Sequence, residues 1–313
     1  MSTVAGTMRR GRGRRGAPRR RLRAALTGWG FTSPFLVLFG VFLLVPILAS
    51  LALAFTSFGI GNIQSWSTTE WVGLDNFAKL FEDDLFVKSV RNTAFFVVVG
   101  VPLTVVGSLL LATALNQGIG KLRGFFRVGY YLPVVTSIVA IAVIWRYVLE
   151  PDVGLVNTVL GKVGITGPNW LGDPSTTMPS IIAVGVWRSI GFSMVIFLAA
   201  LQTVDPQLYD AAKVDGARGA QIFRHVTVPM LRPSILFVTV VTSIGFLQVF
   251  EEPFVMTGPT GGTQQSAFTT SMYVYQEGFR FFNLGYASAV AYALFMAIVV
   301  LAILQFRFLR SDS

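Results

Sequence analysis

The side chains able to do chemistry in this 313-residue chain are few, and their spacing argues against catalysis. Cysteine is absent and His225 is the single histidine, which removes thiolate nucleophiles, disulfides and Cys/His metal sites. Carboxylates occur as the sequence neighbours Asp83-Asp84 and Glu251-Glu252, and neighbours on a helix point about 100° apart instead of converging on one atom. No G-x-x-x-x-G-K-[ST] phosphate loop is present, so a nucleotide would have to be bound by another chain.

The elements that carry these residues are set by hydropathy. Hydrophobic residues make up 53% of the chain and charged residues only 13%, against roughly 25% in a soluble domain. Mean hydropathy is +0.64, so the lipid bilayer is the main solvent. Six stretches reach spanning length, near Phe35–Phe55, Thr93–Leu115, Tyr130–Val148, Ser180–Leu201, Ser234–Val255 and Tyr286–Phe308. Each must satisfy its peptide groups internally, which predicts an all-α polytopic fold of six transmembrane helices with kinks at Pro46, Pro102 and Pro133. The first stretch is too long for a cleaved signal core of about 7–15 residues and reads as a retained helix.

The net charge of +10 does not point to nucleic acid, because nine arginines crowd between Arg9 and Arg23, directly before the first apolar run. With the N-terminus inside and sides alternating at each span, 18 of the 25 basic residues fall inside and five (Lys79, Lys88, Arg91, Lys162 and Arg280) outside. That asymmetry predicts cytoplasmic N- and C-termini, with Arg146 and Arg188 within or at the edge of spans. Residues 1–27 read as a basic, disordered tail and 28–313 as the transmembrane domain. The outward segments carry Gly/Pro turns and interfacial aromatics, among them Trp66, Trp71 and Trp170.

The most informative stretch lies inside, between the fourth and fifth spans. Asp205 can cap a helix opened by Pro206, Leu208, Ala211 and Ala212 repeat at helical spacing, and Gly216 should stop it. A second short helix, about Ala220–Val226, should end before Pro229, which makes residues 203–229 a helix–turn–helix elbow.

This loop, Tyr209-Asp210-Ala211-Ala212-Lys213-Val214-Asp215-Gly216-Ala217 with Phe223 and Pro229, resembles the EAA loop of ABC importer permeases, in the carbohydrate-importer version, with Asp210 where Glu is usual. Tyr130-Tyr131-Leu132-Pro133, Trp145, Gly154-Leu155-Val156-Asn157, Gly261-Gly262-Thr263 and Gly285-Tyr286-Ala287-Ser288-Ala289 are similar to the subfamily of maltose and glycerol-phosphate permeases. The resemblance covers nearly everything after Thr27. It implies the type I importer fold in the cytoplasmic membrane of a prokaryote and import of a sugar or sugar derivative by alternating access. It also implies no cofactor on this chain, with ATP and Mg bound by a dimer of ATPase subunits. The further partners implied are a homologous second permease and an extracytoplasmic substrate-binding protein. In such permeases the elbow is a coupling helix seated on the ATPase, a role that falls here on Tyr209, Asp210, Ala211, Ala212, Asp215, Gly216, Ala217, Phe223 and Pro229.

Counting from the loop, the sugar-contacting positions of the maltose relative fall on Gly185, Arg188, Ser189 and Phe192, and on Ser243, Phe246, Leu247 and Phe250. A charge at the bilayer centre costs about 2.5–3.5 kcal/mol, so Arg188 needs a partner, an aqueous cavity or a route to the interface. Glu251 and Glu252 could pair with Arg188 or Arg146, or meet sugar hydroxyls. Two other classes stand against this reading. A membrane-embedded enzyme would need converging acids or a metal cluster, and a secondary transporter or channel would need intramembrane acids or a repeated filter.

Overall fold

A computed structural model describes residues 18–62, 65, 68–117 and 123–309, and the chain there is almost entirely helical, with one isolated bridge between Thr56 and Trp71. The basic residues before 18, together with Lys121, Arg310 and Trp66, lie outside the described residues. Two units are distinguished, the first ending at Ala52.

In the first unit α1 (Pro18–Phe39) begins inside the segment expected to be disordered, and a π-helical turn, Gly40–Leu44, joins it to α2 (Val45–Leu53). The wide turn ends two residues before Pro46, where an α-helical turn would set the pyrrolidine ring against a carbonyl that has lost its donor. The kink expected at Pro46 is thus a local widening, and Thr27–Leu53 is long and apolar enough to cross a bilayer.

The second unit contains α3 (Asp75–Glu82), α4 (Asp84–Gln117), α5 (Arg123–Val135), α6 (Ile138–Val148), α7 (Leu155–Lys162) and α8 (Pro174–Leu201). It continues through α9 (Pro206–Val214), α10 (Gly219–Ile222), α11 (Val228–Met230), α12 (Arg232–Leu247), α13 (Glu251–Thr257), α14 (Thr270–Tyr275) and α15 (Leu284–Leu309). Three of these, α4, α8 and α15, are continuous helices of spanning length, and Pro102 sits inside α4 without breaking it.

Two of the six expected spans are not single rods. The third is α5 and α6, bent by 101° just after Pro133, and each part is only about 17–20 Å long. The fifth stops at Leu247 instead of Val255, and α13 starts a separate helix after Gln248–Phe250.

The core is α4 packed along α8, with α12 laid across both. Phe96 and Phe246 meet edge to face at 4.9 Å, buried among Val97, Val101, Ile181 and Ile182. Gly185 lets the Phe96 ring approach, since a Cβ there would lie 2.9 Å from it. A second cluster around Leu109, Met194, Phe197, Leu198 and Leu231 fills the end of this core nearest the elbow.

Candidate functional site

The elbow forms as local rules dictate. The Asp205 carboxylate accepts the Gln207 N–H at 2.9 Å and Pro206 opens α9. The helix ends in paired bonds from Gly216 N–H to the Lys213 carbonyl and from Ala217 N–H to the Ala212 carbonyl, the Schellman arrangement. Gly216 has φ +79°, a left-handed conformation that costs a side chain about 1–2 kcal/mol. Gln221 then accepts the Arg218 N–H and starts the second helix.

That second helix does not stop before Pro229 as expected. A π turn, Phe223–Thr227, again ends two residues before the proline, and the helix runs on to Met230 before a 72° bend into α12. The widened turn admits a ring that a regular turn would exclude.

No residue of α9 is buried. Tyr209, Ala212, Ala217, Phe223 and Pro229 are half-buried toward the chain, whereas Leu208, Asp210, Ala211, Asp215 and Gly216 are exposed and Val214 is 87% exposed. Asp210 is held by Lys213 at 3.0 Å. The outer face is therefore small, apolar at Leu208, Ala211 and Val214, and left exposed among the described residues.

The residues expected along the pathway separate into two groups. Gly185, Ser243 and Phe246 are buried in helix packing. The Ser243 hydroxyl accepts from Gln305 Nε2 at 2.7 Å, clamping α12 to α15, and Phe246 fills the core against Phe96. Phe250 stacks on Phe254 at 5.0 Å and lies 5.4 Å from Tyr275, and Leu247 packs against the core. Arg188, half-buried Ser189 and Phe192, 43% exposed, remain on an open side of α8.

Arg188 finds its partner in Glu252, not Glu251. Its Nε and Nη2 both lie 3.1 Å from Glu252 Oε1, and Glu252 is 2% exposed while Glu251 faces outward and is exposed. The break at Gln248–Phe250 produces this choice, because it rotates the first turn of α13 away from the line of α12. Arg146 is exposed in the last turn of α6.

Sequence reasoning missed a polar cluster at the end of the fold remote from the elbow. Asp83 Oδ1 accepts the Leu85 and Phe86 N–H groups at 2.9 and 3.0 Å, and its Oδ2 accepts the Tyr273 and Tyr286 hydroxyls. Burial pushes the Asp83 carboxyl up, but these hydrogen bonds outweigh it and hold the group below its usual value. Burial pushes Glu277 up, only partly offset by the hydrogen bond from Asn283 at 2.9 Å. The Asp83-Asp84 pair was visible in sequence, but nothing local tied it to tyrosines nearly two hundred residues away.

Residues 105–310 match the family described as binding-protein-dependent transport system inner membrane component. The chain is 39% identical over 284 residues to the lactose transport system permease protein LacF of Rhizobium radiobacter, covering 90% of this chain and 93% of that protein. It is 30% identical to the arabinooligosaccharide permease AraP of Bacillus subtilis, over 88% of this chain and 86% of that one. Among solved structures, one chain of a bacterial ABC transporter that imports the acidic polysaccharide alginate superposes with a TM-score of 0.79 at 25% identity, covering 94% of this chain and 98% of that one.

Proposed function

The chain belongs to the family of binding-protein-dependent transport system inner membrane components, and from that premise we propose that it carries a neutral oligosaccharide, a disaccharide first among them, into the cytoplasm. It is a permease subunit of an ABC importer. The observation that supports the mechanism is the unburied α9 helix, a preformed elbow with a small apolar outer face that no described residue of its own chain covers.

In this reading ATP and Mg are bound by a separate ATPase dimer, and closure of that dimer pushes on α9. Force passes through half-buried Tyr209 and Phe223 into α8 and, across the 72° bend, into α12. A homologous second permease covers the open side of α8 around Arg188, Ser189 and Phe192, and the sugar passes between the two. The Arg188–Glu252 pair holds α8 to α13 beside that route. The basic-residue asymmetry supports cytoplasmic termini and an elbow on the cytoplasmic side. A binding protein delivers substrate at the opposite face. The lactose and arabinooligosaccharide relatives support the oligosaccharide class.

Reconstitution tests this. Proteoliposomes holding this chain, its permease partner and the ATPase subunits, with the binding protein outside, should accumulate labelled disaccharide only when ATP is enclosed with the ATPase. Uptake that ignores ATP, or none for any oligosaccharide tried, would overturn the proposal.

A further inference from the structure

At the end of the fold remote from the elbow, a cavity of about 600 Å³ opens between the segment Thr56–Phe58, α3 and the turn from α14 into α15. One wall is closed by Asp83, whose two oxygens are each taken by two donors, so it is structural. Glu277 is different. It is 7% exposed and lines the cavity, and only its Oε2 is engaged, by Asn283 Nδ2; among the described residues no group donates to its Oε1. Its Oε1 is left open to the cavity, a carboxylate acceptor with room for a donor from whatever enters.

The lining defines what would enter. Lys79 lines the same space and forms no ion pair among the described residues. An ammonium beside a metal ion would be repelled, and a free anion would meet Glu277 and Glu82. A hydroxyl group suits both, donating to Glu277 and accepting from Lys79 or from the second amide proton of Asn283. Phe58 and Tyr286 add aromatic surface, and the volume lies in the range of about 300–1,000 Å³ that holds small ligands.

We propose that this cavity is a binding site for one or two neutral sugar rings on the outward side of the permease, separate from the route beside Arg188. The assignment rests on the oligosaccharide reading above and adds to it a place where sugar waits outside the membrane span.

Binding of radiolabelled lactose, cellobiose and raffinose to the assembled transporter in nanodiscs, with no binding protein present, tests the site. At least one sugar should bind, and Glu277→Gln, which keeps the shape, should weaken it about tenfold, the size expected for one charged hydrogen bond. Asn283→Ala should weaken it in parallel, with thermal unfolding followed for each variant so that a folding loss is seen directly. Absence of binding for all three sugars, or unchanged affinity in both variants, overturns the site. If ATP-driven sugar uptake persists while these variants bind normally, the site alone fails; if no oligosaccharide is imported by the wild-type assembly, the transport reading fails first.

Discussion

The two ends of the second unit are built by opposite means. The elbow is made from one continuous stretch, Asp205 to Met230, whose caps, Schellman turn and π turn are all satisfied by near neighbours, and it leaves α9 with no buried residue. The remote end is made from segments far apart in the chain, where Asp83 is reached by Tyr273 and Tyr286 and Asn92 reaches the Gln265 and Phe268 carbonyls. An exposed helix can be shaped by near neighbours alone. A cavity held open at the remote end needs long-range hydrogen bonds to fix its walls.

The contrast predicts that changes at the elbow alter coupling without altering folding, and that changes remote from it do the reverse. The largest effect on transport is expected for Gly216→Val. A Cβ there meets no atom within 4 Å, so the cost comes first from the left-handed backbone, and ATP-driven uptake should fall at least about tenfold. The melting temperature of the isolated permease should fall by no more than the few degrees that about 1–2 kcal/mol of backbone strain gives, and a larger drop would show that the elbow supports the fold after all.

Next is the ion pair. Arg188→Ala strands Glu252 with 2% exposure, and loss of a buried partner costs about 3–5 kcal/mol. Because Arg188 is 29% exposed, about 3 kcal/mol is expected, and the double change with Glu252→Ala should recover part of it. Equal losses in single and double variants would break the pairing.

Asp83→Asn should cost about 1–2 kcal/mol at neutral pH. The folded carboxyl lies below its unfolded value, so its contribution is present above the usual carboxylate pKa and lost as pH falls through the folded one. The gap between wild type and variant in thermal unfolding should therefore close on strong acidification, and a gap that widened would invert the assignment. The smallest effect belongs to Val214→Ser, which at 87% exposure should change stability by no more than about 0.5 kcal/mol while weakening capture of the ATPase subunits in a pull-down.

Legibility in the sequence followed the same division. Four of the six apolar stretches became continuous helices, and the Asp205 cap and the Gly216 stop stand where near-neighbour chemistry put them. The errors came at prolines and breaks. The kink expected at Pro133 is there as a 101° bend just after it, whereas Pro102 sits inside α4 without breaking it and Pro229 is carried within a helix by a π turn, because a chain can widen a turn as readily as end it. Gly185, Ser243 and Phe246, placed along a pathway by counting from the loop, stand buried in helix packing, which periodicity does not foretell because it cannot tell which face of an all-apolar helix meets another helix. Glu252 over Glu251 was decided by a three-residue break with no local signature.

The most direct measurement uses the absence of native cysteine. In a Val214→Cys variant, a membrane-impermeant maleimide should label the protein in inside-out vesicles stripped of ATPase subunits, leave it unlabelled in intact cells, and lose access when the ATPase subunits are restored. Labelling in intact cells, or labelling undiminished by the restored subunits, would contradict the claim that α9 is a cytoplasmic lever seated on a separate motor.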